Sequence, residues 1–269
     1  MKAPRIIGFA LLGALLLTAG AAPAQDNARE SYAQGVELAL KGNYPEAKAA
    51  FAQALKTAPF FSPAKGSLEI VEDVINKKLD PKAAHHLFKA ATYAAKQQWD
   101  LAIAARTKAI ELSPNYAVAY LGRGVNYQRA GQPEKAIKDF DQALKLNPKL
   151  AAAYSARGTT HLDGGRVEMA LADYNQALEL DPNDAATFFN RGNIYLVTGQ
   201  FDPAIKDFDQ ALKVNPKFAA VYLNKAAACE KAGRKPEALE ALRNFIANAQ
   251  PDQIPQIQSA RQKIMELSK

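Results

Sequence analysis

Apolar and polar positions alternate along most of this chain with the spacing of paired helices. Aligning on Pro114, Pro148, Pro182 and Pro216 gives a period of 34 residues, with repeats opening at Ala83, Ala117, Ala151 and Ala185. Counting each opening residue as place 1, place 4 holds His86, Tyr120, Tyr154 and Phe188. Place 8 holds Ala90, Gly124, Gly158 and Gly192, and place 11 holds Tyr93, Tyr127, His161 and Tyr195. These places share one face of a first helix. Place 20 is alanine throughout (Ala102, Ala136, Ala170, Ala204), as is place 27 (Ala109, Ala143, Ala177, Ala211). Place 24 holds Arg106, Phe140, Tyr174 and Phe208. These three places line a second helix. Gly42, Gly131, Gly165, Gly199 and Gly233 stand at place 15, where a left-handed residue is needed to end the first helix. The repeat from Ala83 has Gln97 there, followed by Trp99.

Two weaker copies flank these four. Residues 28–61 carry Gly35, Ala47, Phe51, Ala54 and Pro59, with Ser31 at the aromatic place 4. Residues 219–252 carry Tyr222, Ala226 and Ala238, but Phe245 replaces the alanine at place 27 and Pro251 arrives one residue late. Residues 62–82 fall outside the register; Leu68, Ile70, Val71, Val74 and Ile75 predict a helix ending near Lys78. Ile254, Ile257, Ala260, Ile264 and Leu267 predict an amphipathic capping helix over 253–269.

The recurring aromatic, small residue, tyrosine, alanine, phenylalanine, alanine and closing proline resemble the tetratricopeptide repeat (TPR). The resemblance implies an all-α fold, a right-handed superhelical solenoid of helix-turn-helix pairs occupying residues 25–269. One pair cannot bury its apolar face alone, so neighbours must stack.

The first residues read as an address. Lys2 and Arg5 precede the apolar run Ile6 to Ala19, and Ala22-Pro23-Ala24 supplies small residues before Gln25. This is the pattern of a cleaved signal peptide over residues 1–24, and the run is short for a membrane span. Export is therefore expected, to the periplasm if the source is Gram-negative. No second apolar run of spanning length follows.

Composition narrows the chemistry. Of 269 residues, 48% are hydrophobic and the net charge is +7, a small excess for a nucleic-acid binder. One cysteine excludes a disulfide framework, and three histidines leave little for a metal site. His85 and His86 are adjacent and so diverge on a helix, while His86, His161 and Cys229 occupy packing places. No nucleophile–base order and no phosphate-cradling glycine loop is present. The reading is not an enzyme, with no metal and no cofactor.

One correlation stands apart from packing. Arginine at place 7 (Arg123, Arg157, Arg191) occurs with aspartate at place 23 (Asp139, Asp173, Asp207). The other copies have Gln34, Lys89 and Lys225 against Ala50, Ala105 and Ala241. Helix-stapling ion pairs are expected, within one repeat or between neighbours.

In TPR arrays the first helices line a concave groove, and the resemblance assigns it here to Leu121, Val125, Gln128, Arg129, Ser155, Thr159, Asp163, Phe189, Asn190, Asn193, Leu223, Asn224 and Lys231. Asn190 and Asn224 stand one repeat apart, like rungs that could hold a peptide backbone. Chaperone-binding TPR proteins grip a C-terminal carboxylate with Lys, Asn, Asn, Lys and Arg. Asn193 and Asn224 match the asparagine spacing, but Phe189, Ile254 and Gln258 stand at the cation places, so that clamp is not expected. The resemblance implies an exported scaffold that binds a protein or peptide, supporting assembly of cell-envelope complexes. The alternatives are a self-associating structural protein and an accessory subunit of an envelope polysaccharide or peptidoglycan enzyme. Nucleic acid is not an expected partner; a homo-oligomer is compatible with the pattern.

Overall fold

The computed structural model describes residues 23–250 and 253–268. Most of the expected signal segment, residues 1–22, lies outside the described residues.

Six helix pairs follow one another, with one helix inserted and one at the end. The pairs are α1 and α2 (Pro23–Leu40, Tyr44–Thr57), α4 and α5 (Pro81–Ala95, Trp99–Leu112), and α6 and α7 (Ala117–Arg129, Pro133–Leu146). Then come α8 and α9 (Ala151–Asp163, Val167–Leu180), α10 and α11 (Ala185–Val197, Phe201–Val214), and α12 and α13 (Ala219–Lys231, Lys235–Asn248). The insert is α3 (Ser62–Ile75) and the last helix is α14 (Ile254–Leu267). Among the described residues there is no strand. Each helix of a pair packs mainly on its partner; α2 then meets the inserted α3, and from α5 to α11 each second helix meets the first helix of the next pair.

The local causes are visible in each pair. The place-24 ring lies flat against the place-8 glycine; a Cβ on Gly192 would sit 2.8 Å from the Phe208 ring. Phe140, Tyr174 and Phe208 are fully buried there, as are Ala136, Ala170 and Ala204. Gly131 ends α6 at φ 71°, and Gln97 does the same job after α4 at φ 56°. An L side chain in that region costs about 1–2 kcal/mol. Between pairs, the side chain at place 31 accepts from the backbone two residues on. Asn147 does so from Lys149 N (3.0 Å), Asp181 from Asn183 N (3.0 Å) and Asn215 from Lys217 N (3.2 Å). That side-chain turn, with the following proline, starts each new pair.

The inserted helix ends earlier than the apolar spacing predicts. It stops at Ile75, because Lys77 turns left-handed at φ 57° and the amides of Lys78 and Leu79 fold back onto Asp73 O (2.8 and 3.1 Å). Its apolar stripe, Ile70, Val71 and Val74, is buried in the same core as Phe51, Leu87 and Phe88. The insert does not part the first pair from the second. Phe51 of α2 stacks on Phe88 of α4 (5.9 Å, 12°), and the Tyr44 hydroxyl donates to Pro81 O (3.0 Å). The first turn of α3 reaches Asp181 through Lys65 (4.0 Å), and near its other end Asp73 accepts from the Tyr116 hydroxyl (2.9 Å). It therefore runs beside the turns that join successive pairs.

At the other end, Ala260 of α14 is buried with Phe245 and Leu242 of α13, and Ile257 and Ile264 pack partly against them. This covers the apolar face that the last pair would otherwise expose.

Candidate functional site

Three arginines organise the middle of the array. Arg123 donates through Nε and Nη2 to Asp139 (both 2.8 Å), Arg157 to Asp173 (2.9 and 2.7 Å), and Arg191 to Asp207 (2.8 and 2.7 Å). Each pair joins the two helices of one repeat. The third nitrogen, Nη1, reaches back to the preceding repeat: Arg123 to Thr107 (3.1 Å), Arg157 to Asp141 (2.6 Å) and Arg191 to Asn175 (2.7 Å). The guanidinium planes also lie 5.6–5.7 Å from the place-4 rings of Tyr120, Tyr154 and Phe188. The aspartates are almost fully shielded, and their hydrogen bonds hold all three guanidinium groups above their ordinary pKa. These cations are consumed by the scaffold and offer little to a ligand.

A fourth acceptor in the series was not singled out by sequence reasoning. Thr107, Asp141, Asn175 and Asp209 all occupy place 25, in register. Asp209 accepts from Lys225 (2.7 Å), which keeps the link to the preceding repeat although its own repeat lacks the aspartate. The signal was present: a polar residue 16 positions before every place-7 cation from Arg123 onward.

On the same first helices, the groove candidates form contacts from rung to rung. Asn224 donates to Asn193 (2.6 Å), the Ser155 hydroxyl shares a hydrogen bond with Thr187 (2.6 Å), and Gln128 donates to Asp163 (3.3 Å). The Thr159 hydroxyl bridges Ser155 O and the Tyr174 hydroxyl (both 3.0 Å). Burial pushes the Tyr174 phenol up to about 12, with hydrogen bonds from Thr159 and Asn190 opposing it. Asn224 pairs with Asn193, so the two expected rungs, Asn190 and Asn224, share no hydrogen bond with each other. Each of these amides retains donors and acceptors beyond the contacts named. Leu121, Val125 and Leu223 are half-buried, while Arg129, Asp163 and Lys231 are exposed.

One expected groove residue is corrected. Phe189 is 8% exposed, and its ring packs against Phe208 (6.1 Å) and Phe218 (5.1 Å). The aromatic closing residue of its own repeat covers it, so Phe189 belongs to the core.

The histidines follow their packing places. Arg166 Nε donates to His161 Nδ1 (3.0 Å), so Nδ1 is the acceptor and the proton sits on Nε2, 3.9 Å from Asp173. Burial lowers the His161 pKa; Asp173 opposes this and Arg166 and Arg157 add to it. Cys229 is buried, and desolvation raises its thiol pKa, the opposite of an activated nucleophile. Among the described residues no cluster of His, Cys, Asp and Glu could hold a metal ion, and no helix is long and apolar enough to cross a membrane.

Two open clefts, of about 540 and 430 Å³, lie between the turns inside successive repeats. Gln97 to Leu101 with Ala130 and Gln132 line the first, and Gly199 to Pro203 with Ala232 and Arg234 the second. Neither includes a groove candidate.

Comparison with known proteins agrees with this architecture. The tetratricopeptide repeat profile matches residues 117–150 and 185–218, and a TPR repeat profile matches residues 158–199. No curated protein matches the sequence. Among similar solved structures, MamA protein is 23% identical with a TM-score of 0.54, over 62% of this chain and 91% of its own. YrrB, described as a TPR protein with an unusual peptide-binding site, is 23% identical with a TM-score of 0.52, over 72% of this chain and 99% of its own. The Cut9–Hcn1 structure of the anaphase-promoting complex is 20% identical with a TM-score of 0.60, over 91% of this chain and 43% of that one. The chain carries tetratricopeptide repeats and folds as their solenoid.

Proposed function

We propose that this chain is a non-catalytic scaffold that binds a protein or peptide along the face lined by its first helices. The observation that carries this reading is the row of half-buried polar side chains on successive first helices. Ser155, Thr159, Asn193 and Asn224 are held by contacts along the first helices, Asn190 lies half-buried on the same face, and all keep hydrogen-bonding capacity for an extended backbone. Pre-positioned polar groups of this kind cost little to order on binding. Arg123, Arg157 and Arg191, which would otherwise attract anions to this face, are held in the staples. A peptide-binding site in YrrB, a protein of the same fold, supports the reading by analogy.

The leader pattern over residues 1–24 extends it to an exported protein, with assembly of envelope complexes as its role. The test is capture of a partner from an envelope extract by the wild-type chain and by the Asn190→Ala/Asn224→Ala variant. Loss of capture in a variant that remains folded is expected, and unchanged capture refutes groove binding. Light scattering on the same samples separates a hetero-partner from a second copy. Export is tested by sequencing the N-terminus of the accumulated protein, which should begin at Gln25.

A further inference from the structure

One repeat departs from the pattern at the place that matters most for packing. Where Phe140, Tyr174 and Phe208 fill the space between helices, the repeat from Ala83 has Arg106. Its guanidinium lies against α6, over Gly122, where any Cβ would collide with Nη1. The other repeats have Ala33, Phe88, Ala156, Asn190 and Asn224 at that place. The gap at Gly122 and the cation that fills it thus occur together.

This cation has no partner among the described residues. Its Nε is fully shielded and makes no hydrogen bond, and Arg106 enters no ion pair. A second orphan lies nearby in the fold. Asn126, 3% exposed, stands one turn along α6 from Gly122, on the same stripe, and its Nδ2 is also shielded and unpartnered. These are the two buried side-chain donors left unsatisfied among the described residues. Burial pushes the Arg106 guanidinium down to about 10, and among the described residues no carboxylate forms an ion pair with it. The Tyr32 phenol of α1 is close enough to interact with the Arg106 charge, and it is shielded beside Ser67 of α3. Arg106 itself remains partly open to solvent. A desolvated charge without a counter-charge is strongly unfavourable, and both orphans are donors, so the missing group is an acceptor with negative charge.

We propose that the solvent-open part of the Arg106 guanidinium, seated at the Gly122 gap on the stripe of α6 that carries the buried Asn126, forms a carboxylate-binding subsite at the N-terminal end of the groove. The carboxylate comes from a bound peptide, as an acidic side chain or as the C-terminus. This deepens the groove reading and rests on it; neither donor, Arg106 at place 24 nor Asn126 at place 10, stands at a place of the chaperone-type clamp, while Gly122 stands at the place of one clamp asparagine.

Calorimetric titration of the full chain at fixed ionic strength tests the subsite with three peptides: acetyl-tetraglutamate amide, acetyl-tetraglutamine with a free C-terminus, and acetyl-tetraglutamine amide. Tighter binding of the first peptide assigns the subsite to side-chain carboxylates, and tighter binding of the second assigns it to a chain terminus. Arg106→Met should weaken the preferred peptide by about ten- to a hundredfold, as loss of a charge-assisted hydrogen bond requires. Its melting temperature should equal or exceed the wild type's, since a lone buried charge is removed. Arg106→Lys keeps the charge but loses the planar fork, and should be weakened as well. Equal binding of all three peptides by the wild type, binding unchanged in both variants, or a sharp fall in melting temperature in Arg106→Met overturns the subsite. Partner capture that depends on Asn190 and Asn224, alongside peptide binding indifferent to Arg106, would leave the groove reading standing while this one falls.

Discussion

Removing one side of an Arg–Asp staple should cost unequal amounts, and the inequality follows from burial. In the Arg191–Asp207 pair the aspartate side chain is 5% exposed and the arginine side chain 18%. Arg191→Met leaves a shielded carboxylate with both charge-assisted bonds gone, which should cost about 3–4 kcal/mol. Asp207→Asn keeps an acceptor of the same shape. It leaves a guanidinium that still donates to Asn175 and lies over Phe188, so the cost should be about 1–2 kcal/mol. The double variant Arg191→Met/Asp207→Leu removes both charges and should cost less than the sum of the single changes by about 2 kcal/mol. Solenoids open repeat by repeat, so a global midpoint dilutes the effect. Urea unfolding should therefore be paired with hydrogen exchange read on the amides of α10 and α11. If Asp207→Asn costs as much as Arg191→Met, burial is not what sets the energy. If the double variant is additive within about 0.5 kcal/mol, the two residues are not coupled.

Stability should also depend on pH through His161. Its pKa in the folded chain is lowered, so below the unfolded value of about 6.5 the unfolded chain binds the proton first and stability falls as pH drops. His161→Tyr, the residue type at place 11 in three other repeats, should flatten that slope in denaturant titrations between about pH 7 and 5; an unchanged slope would assign it to other groups, His86 among them. Gln97→Gly relieves a left-handed non-glycine residue and should gain about 0.5–1 kcal/mol after the extra freedom of the unfolded chain is counted. A loss of stability in that variant would show that Gln97 is not strained. Ala136→Leu adds bulk where the side chain is fully buried between α6 and α7, and should cost about 1–3 kcal/mol by thermal melting.

The solenoid was legible because the same physical requirement recurs at fixed places. A helix pair needs a small residue where helices touch and a ring beside it, and the places of Gly124 and Phe140 repeat that demand every 34 residues. The co-occurrence of Arg123, Arg157 and Arg191 with aspartates was legible in the same way. Features that do not recur were harder to read. Phe189 carries a groove place number, but its exposure depends on Phe218 at place 34, where the residue type changes from repeat to repeat (Tyr116, Leu150, Asp184). Lys77 ends α3 with a backbone reversal that its side chain does not announce. Arg106 was visible as an exception at place 24, yet its consequence needs Gly122 and Asn126, which only packing brings into relation with it.

The exceptions are not scattered. The three stapled repeats, 117–218, are also where the repeat profiles match. The departures flank them: before, the inserted α3, the left-handed Gln97, and Arg106 where a ring is the rule; after, the last pair, with Phe245 at place 27 and no staple. A repeat that follows the pattern is explained by stacking: among the described residues of 117–218, Asn126, on the stripe of α6 that holds Gly122, has the one buried side-chain donor left unpaired. A repeat that replaces a buried ring with an unpartnered cation is not, since stacking would favour the ring by removing a desolvated charge. What stacking disfavours must be offset by something outside the stack. On the proposed reading, the polar first-helix face of the stapled repeats suits a backbone of any sequence, whereas the segment around Arg106 discriminates by charge. Substitutions at Asn190 and Asn224 should then lower affinity for every partner, and substitutions at Arg106 should change the choice of partner.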